Sequence, residues 1–224
     1  MAVLLSLALV PVFVLFIYIH RKDSKNPEPI SMLAKAFLFG VISVFISLTI
    51  TTFFGDSEAA ELDQTEAILD AFFGAAFPEE FAKLLMLWLL VRKSKYFDQP
   101  IDAIVYATCV SLGFAGLENI LYLMDADDFI SVGLLRGVTS VPAHFCFAVA
   151  MGYFYALAHF GEKLNFWYKL MAYFVPVTLH GIYDALLSVS DDDYFYIISI
   201  IWVIFCCLMY KKAIKRIEKL REKE

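Results

Sequence analysis

Residues 66–91 read EAILDAFFGAAFPEEFAKLLMLWLLV, an apolar run that carries Asp70 in its first turns and Glu79, Glu80 and Lys83 at its middle. As a helix rising ~1.5 Å per residue the run is long enough to cross the ~30 Å of a bilayer's hydrocarbon, which needs about 20 residues. Mid-bilayer charge costs at least ~2.5–3.5 kcal/mol per group on insertion scales, so three such groups need a partner, a cavity or a function.

The rest of the chain has the same character. Of its 224 residues 61% are hydrophobic and only 19% charged, with 22 Phe and 12 Tyr, and the net charge is −6. The mean hydropathy is +0.70. This composition excludes a disordered chain, a coiled coil or a nucleic-acid arm, and a soluble domain of this size could not hide so much apolar surface. Six further runs are long enough to span, at 3–20, 30–54, 101–124, 130–158, 166–187 and 194–210, the long fifth one expected to tilt or kink. The expected architecture is an all-α, polytopic membrane helical bundle of about seven transmembrane helices. Residues 1–210 form the membrane domain and 211–224 a basic tail, with no internal repeat and no soluble second domain. Cys109, Cys146, Cys206 and Cys207 lie inside apolar runs without metal or disulfide spacing, as packing residues do.

Loop charge sets the expected orientation. The connections carry, in order, three basic residues (Arg21, Lys22, Lys25), none, three (Arg92, Lys93, Lys95), none, one (Lys163) and none, before seven in the tail. Lys and Arg mark the cytoplasmic side. The N-terminus is therefore expected outside and the C-terminus in the cytoplasm. The first run has no basic residue before it, which fits an N-out anchor rather than a cleaved signal peptide. The tail reads as a solvated topology anchor, or as a helix along an anionic lipid surface. The three outer loops hold ten acidic residues and no basic one, a rim that could also attract a basic juxtamembrane segment of another protein.

Beyond Glu79, Glu80 and Lys83, the spans contain Asp102, near the cytoplasmic end, then Glu118 and Asn119 in the fourth, Arg136 and His144 in the fifth, and His180 and Asp184 in the sixth. Glu79, Glu80 and His144 fall at mid-span, while His180 lies about 5 Å and Glu118 about 8 Å toward the outer face. Agreement in depth across four helices predicts one site. Pro78, Pro142 and Pro176 free the carbonyls of Gly74, Val138 and Ala172, as expected beside a wet cavity or in an ordinary bent bundle. Adjacent helical residues point about 100° apart, so Glu79 and Glu80 are not expected to chelate like a pincer. Lys83 can approach either, leaving one carboxylate ionised and the other as a proton holder, or it can simply form a structural ion pair. His180 and Asp184 share a face, so the carboxylate can fix the ring's tautomer. Glu118 and Asn119, with Tyr122 one turn on, can also act as interhelical glue. Arg136 is expected to snorkel to the surface. Jointly, three acids, two histidines and a lysine at one depth read as a hydrolytic site.

These residues resemble the PrsW intramembrane proteases. Pro78-Glu79-Glu80-Phe81-Ala82-Lys83 is similar to their EExxK motif and Phe114-Ala115-Gly116-Leu117-Glu118-Asn119 to their FxxxEN motif. His144 in SVPAHFCFAVAMG and His180-Gly181-Ile182-Tyr183-Asp184 resemble the third and fourth motifs, and Asn26-Pro27-Glu28-Pro29 fits the opening. Ala148 stands where the pattern has Gly, small for small. The resemblance implies membership of the wider group of type II CAAX prenyl endopeptidases and bacteriocin-processing homologues, which have His where this chain has Glu118. It implies a multi-pass protease of a prokaryotic plasma membrane. Its expected action is the first, site-1 cut in a single-span substrate such as an anti-sigma factor in a stress response, before a site-2 protease cuts within the membrane. Expected partners are thus that substrate, the lipid bilayer and the downstream protease, and no nucleic acid.

By the same analogy Glu79 and Glu80 activate water, Glu79 as base and Glu80 holding the proton. His144 and His180 polarise the scissile carbonyl or hold the water, and Asn119 faces the oxyanion. Lys83, Tyr122, Tyr183 and Asp184 support them. No metal is favoured, largely on the resemblance itself, and no HExxH spacing supports one. The alternative is zinc on His144, His180 and one of Glu79, Glu80 or Glu118. Other readings are a proton-coupled transporter, which the missing inverted repeat disfavours, or a non-catalytic receptor or immunity protein on the same scaffold.

Overall fold

The computed structural model describes residues 1–23, 26–54, 63–161, 166–188 and 195–222. Every regular element among them is helical: α1 (Ala2–Lys22), α2 (Ile30–Phe54), α3 (Gln64–Asp70), a π-helix (Ala71–Ala76), α4 (Phe77–Val91), α5 (Pro100–Asp125), α6 (Phe129–Val138), α7 (Ser140–Phe160), α8 (Phe166–Ser188) and α9 (Phe195–Arg221). The acidic loop stretches 55–62 and 189–194, together with Lys25 and Lys163 from the basic side, lie outside the described residues.

Six helical stretches are long and apolar enough to cross a membrane: Ala2–Lys22, Ile30–Phe53, Pro100–Asp125, Phe129–Phe160, Phe166–Ser188 and Tyr196–Arg221. The seventh expected span is helical too, but it is built from α3, the π-helix and α4 in succession and carries Glu79, Glu80 and Lys83. The π-helix ends two residues before Pro78, and such wide turns often lie beside functional groups. The Gly74 carbonyl, which Pro78 cannot bond, accepts from the Thr51 hydroxyl of α2 at 3.1 Å. The long fifth run breaks as expected. α6 ends at Val138 and α7 begins at Ser140, two residues before Pro142, with Thr139 between them.

The centre of the bundle is α5 with α7. The most apolar window of Pro100–Asp125 is 78% buried, and so is that of Phe129–Phe160, against 11% for Tyr196–Arg221. α2 approaches α5 backbone to backbone. A Cβ on Gly40 would strike the carbonyl of Val110, and one on Gly113 the carbonyl of Phe37. Small residues permit this close packing where water supplies no driving force between helices. The outward faces stay apolar, with Val10, Phe13, Leu38, Phe45, Ile200 and Ile204 exposed, as lipid contact requires.

Ends are capped by side chains. Asp63 and Glu66 form a capping box at α3, and Asp128 accepts from the Ser131 N–H at α6. At α5, Asp102 Oδ2 accepts from the backbone N–H of Asp98 (3.0 Å) and of Gln99 (2.7 Å). Beside it Tyr106 donates to Glu28, and Asp23 Oδ2 accepts from the Glu28 N–H at 2.9 Å. Asp23, Glu28 and Asp102 are all buried, and one oxygen each of Asp23 and Asp102 has no partner.

α9 does not end at Tyr210. It continues unbroken to Arg221, and Ala213, Ile217 and Leu220 are buried against the bundle. Their i, i+4, i+7 spacing makes a narrow apolar stripe within a basic sequence, so this part of the tail is docked rather than free.

Candidate active site

Lys83, in the second turn of α4, lies between the two glutamates that precede it. Its Nζ is 3.1 Å from Glu79 Oε2 and 2.8 Å from Glu80 Oε1, and it stands 3.3 Å from His144 Nδ1. The ammonium also sits 3.9 Å above the ring of Phe114, which closes its fourth side with a negative π face. The expectation that Glu79 and Glu80 point too far apart to share a ligand fails here. Long side chains converge on Lys83 from either side, and the helical 100° separation fixes only where they start.

His180, one long stretch away on α8, joins the same group. Its Nδ1 is 3.0 Å from Glu80 Oε1, and its Nε2 is 3.1 Å from Asp184 Oδ2 and 3.9 Å from Glu79 Oε2. A neutral imidazole carries one N–H. A ring between two carboxylate acceptors therefore requires a second proton on the Asp184–His180–Glu80 line, or a cation within it. His144 shows the matching pattern, its Nε2 held 3.0 Å from Glu118 Oε2 and its Nδ1 facing Lys83. The rings meet edge to face at 5.2 Å, and Phe147 stacks on His180 at 4.7 Å, which fixes both planes. The Ser111 hydroxyl donates to the His144 carbonyl at 3.0 Å.

Glu118 is anchored in turn. Arg136 of α6 donates from Nη2 to Glu118 Oε2 and from Nε to Asn119 Oδ1, both at 2.8 Å, with its guanidinium 3.8 Å from the Tyr122 ring centre. Arg136 is thus a member of the site rather than a snorkelling residue. A carboxylate within reach is a better partner than the membrane surface, and the packing of α6 on α5 supplies one. Asn119 was expected to face a developing oxyanion. The helix turns it away from Glu118 instead, and its amide reaches toward the Ala8 carbonyl of α1 at 3.5 Å. Tyr183 is buried against Phe147 and Trp202, whereas Tyr122 is exposed.

The group opens on a cavity of about 770 Å³, with Glu79, Glu118, His144, His180 and Asp184 on its wall. Glu80 is fully buried behind it and keeps one oxygen, Oε2, without a partner. The facing wall is apolar and includes Leu135, Leu187, Ile198 and Trp202, of which Trp202 carries no sequence signal beyond its apolar character. A polar cluster against an apolar cleft is the usual form of a binding site. Among the described residues no serine, threonine or cysteine side chain hydrogen-bonds either histidine ring.

The donor set also suits a metal. Glu79, Glu80, His144 and His180 each offer one ligand atom, all within 4.8 Å of one another. The ring nitrogens that face outward are tied to Glu118 and Asp184, the arrangement that aims and tunes ligating histidines. The unpartnered Glu80 oxygen is a further free donor. Glu118 lies behind His144 rather than in the set.

A family model described as "PrsW family intramembrane metalloprotease" matches residues 28–209. Three relatives named Protease PrsW show the extent of the similarity. That of Geobacillus kaustophilus is 37% identical over 84% of this chain and 81% of its own. That of Clostridioides difficile strain 630 is 31% identical over 96% and 90%. That of Bacillus subtilis strain 168 is 30% identical over 88% of each. No solved structure matches. The shared length and the site that the matched region builds lead to one conclusion: the chain belongs to the PrsW family of intramembrane proteases, and it is a membrane-embedded peptidase.

Proposed function

We propose that this peptidase hydrolyses a peptide bond of a single-span membrane protein, such as an anti-sigma factor, by water activation at the Glu79, Glu80, His144 and His180 centre. The observation that carries this reading is the convergence of those four side chains within 4.8 Å, three of them on the wall of the cavity and Glu80 buried behind it. Glu79 lines the cavity and Glu80 does not, which favours Glu79 as the group that takes a proton from water. Glu80, held between Lys83 and His180, keeps the charge of that pair in place. The Asp184–His180–Glu80 line can store a proton and return it to the leaving amine.

A divalent ion such as zinc would be held by Glu79, Glu80, His144 and His180, and it would supply Lewis-acid polarisation and a more acidic bound water. The donor set fits that role. Lys83 stands within 3.3 Å of three of the four donors, so its ammonium and such an ion would compete for one place. In the metal-free alternative the Lys83 ammonium keeps that place.

The site lies toward the ends of α5 and α8 remote from the basic segment of α9. With the C-terminus cytoplasmic, as loop charge suggests, a cut there falls near the outer face, the side required of a first cut before a site-2 protease acts. The test uses purified protein with single-span anti-sigma proteins of the same genome, with and without strong chelator, the fragments mapped by mass spectrometry. A cut on the outer side of the span supports the reading, and loss of it in chelator with recovery on adding zinc selects the metal form. A cut in the cytoplasmic half, or none with any folded candidate, contradicts it.

A further inference from the structure

The cytoplasmic end expected from loop charge carries a second, unrelated feature. α8 and α9 both lean on α7 and leave a groove of about 220 Å³ between them. Its walls are apolar along Cys146, Ala150, Leu179 and Phe205, and it ends at Lys212 and Arg216. On α9 the lining runs from Phe205, within the apolar run, to Lys212 and Arg216 in the basic segment, so the charge lies at one end of the groove.

Among the described residues Arg216 has no anionic partner. Its guanidinium is gripped by two rings, 4.7 Å from the centre of Tyr153 and 4.8 Å from that of Phe154. Rings hold a cation in place but offer no strong acceptor in the plane of its N–H groups, and Nη1 is buried with no partner. Lys219, one turn on, donates to the Tyr153 hydroxyl at 3.1 Å. Among the described residues no carboxylate pairs with Lys212, Arg216 or Lys219. The buried stripe Ala213, Ile217 and Leu220 fixes this part of α9 on the bundle, so the cations hold their positions.

We propose that this groove binds one anionic phospholipid of the inner leaflet, its phosphate on Arg216 and Lys212 and part of an acyl chain along Ala150, Leu179 and Phe205. An apolar slot closed at one end by two cations that have no carboxylate partner among the described residues matches a phospholipid in the order of its chemistry, acyl chain and then phosphate. It does not match a soluble anion, which would have no use for the slot. The site is independent of the peptidase centre and uses none of its residues.

Native mass spectrometry of detergent-purified full-length protein tests it. Phosphatidylglycerol and phosphatidylcholine of equal chain length are offered to wild type, to K212Q/R216Q, and to K211Q/K215Q, whose lysines are exposed and do not line the groove. The expected result is one tightly held phosphatidylglycerol, preferred roughly tenfold or more over phosphatidylcholine, with the preference lost in K212Q/R216Q and kept in K211Q/K215Q. Equal retention of the two lipids by wild type overturns the proposal whatever the variants do. Equal loss of preference in both double variants also overturns it, since that is attraction to general positive charge.

Discussion

Toward one end of the bundle Glu118 meets His144 and Arg136, and Glu79 and Glu80 meet Lys83 and His180; at the start of α5 Asp102 lies with Glu28 and Asp23, where no lysine or arginine pairs with them among the described residues. Both groups put three carboxylates into a membrane protein's interior. The first has cations, rings held by carboxylates, and a cavity. Among the described residues the second is stitched by neutral donors: the Tyr106 hydroxyl, two backbone N–H groups at the head of α5 and one in the α1–α2 connection. Burial pushes Glu28 up to about 7, opposed by the Tyr106 hydrogen bond and assisted by Asp23. The contrast teaches that residue type and burial do not by themselves mark a reacting carboxylate. Cationic partners and an open cavity do.

Substitutions at four positions break or sharpen this contrast. Glu80→Gln keeps the size of the side chain but removes the charge that Lys83 and His180 share. Cleavage is expected to fall by about 10²–10⁴-fold in steady-state assays. Glu118→Gln leaves the four-residue donor set intact but weakens the hold on His144 and on Arg136, so cleavage should drop by about 10–100-fold, with metal content as the second readout. Arg136→Gln acts one step further out. It should cost about tenfold or less, and Arg136→Lys should recover little, because one ammonium cannot hold Glu118 and Asn119 together.

The smallest effect on activity is expected from Glu28→Gln, which should cleave like wild type and differ only in its pH dependence of stability. A carboxyl whose folded-state value is about 7 against an ordinary 4.5 binds its proton more tightly when folded. Its contribution is fully present below about 4.5 and is lost as pH rises through about 7. Thermal unfolding in detergent from pH 4.5 to 8 should show that decline in wild type and a flatter curve in the variant.

Much of this was legible in the residues themselves. Apolar run lengths located the helices, and Pro142 marked the break before α7. Depth along each run placed Glu79, Glu80, Glu118, His144 and His180 in one slab, because rise per residue is nearly constant in any helix. Rotation about the helix axes was not legible, since it is set by packing. For that reason Arg136 was expected at the surface and Asn119 at the oxyanion, and the structure gives each to the other. The Asp23, Glu28 and Asp102 group joins two connections far apart in sequence; Asp102 at the start of its span and the Asn26-Pro27-Glu28-Pro29 motif are visible singly, but their meeting is not. The π-helix has no sequence signal beyond Gly74 and Pro78, because one residue more or less per turn is decided by what packs outside it.

One comparison bears most directly on where the peptidase centre lies. Purified wild type, Glu80→Gln and Glu28→Gln would be matched for folding by thermal unfolding and given the same cleavable single-span substrate, with cleavage followed in a single turnover. Wild type and Glu28→Gln should cut at the same rate and the same bond, and Glu80→Gln should leave the substrate intact over many wild-type half-lives. Cleavage by Glu80→Gln near the wild-type rate, or its loss in folded Glu28→Gln, would place the chemistry somewhere other than the Glu79, Glu80, His144 and His180 centre.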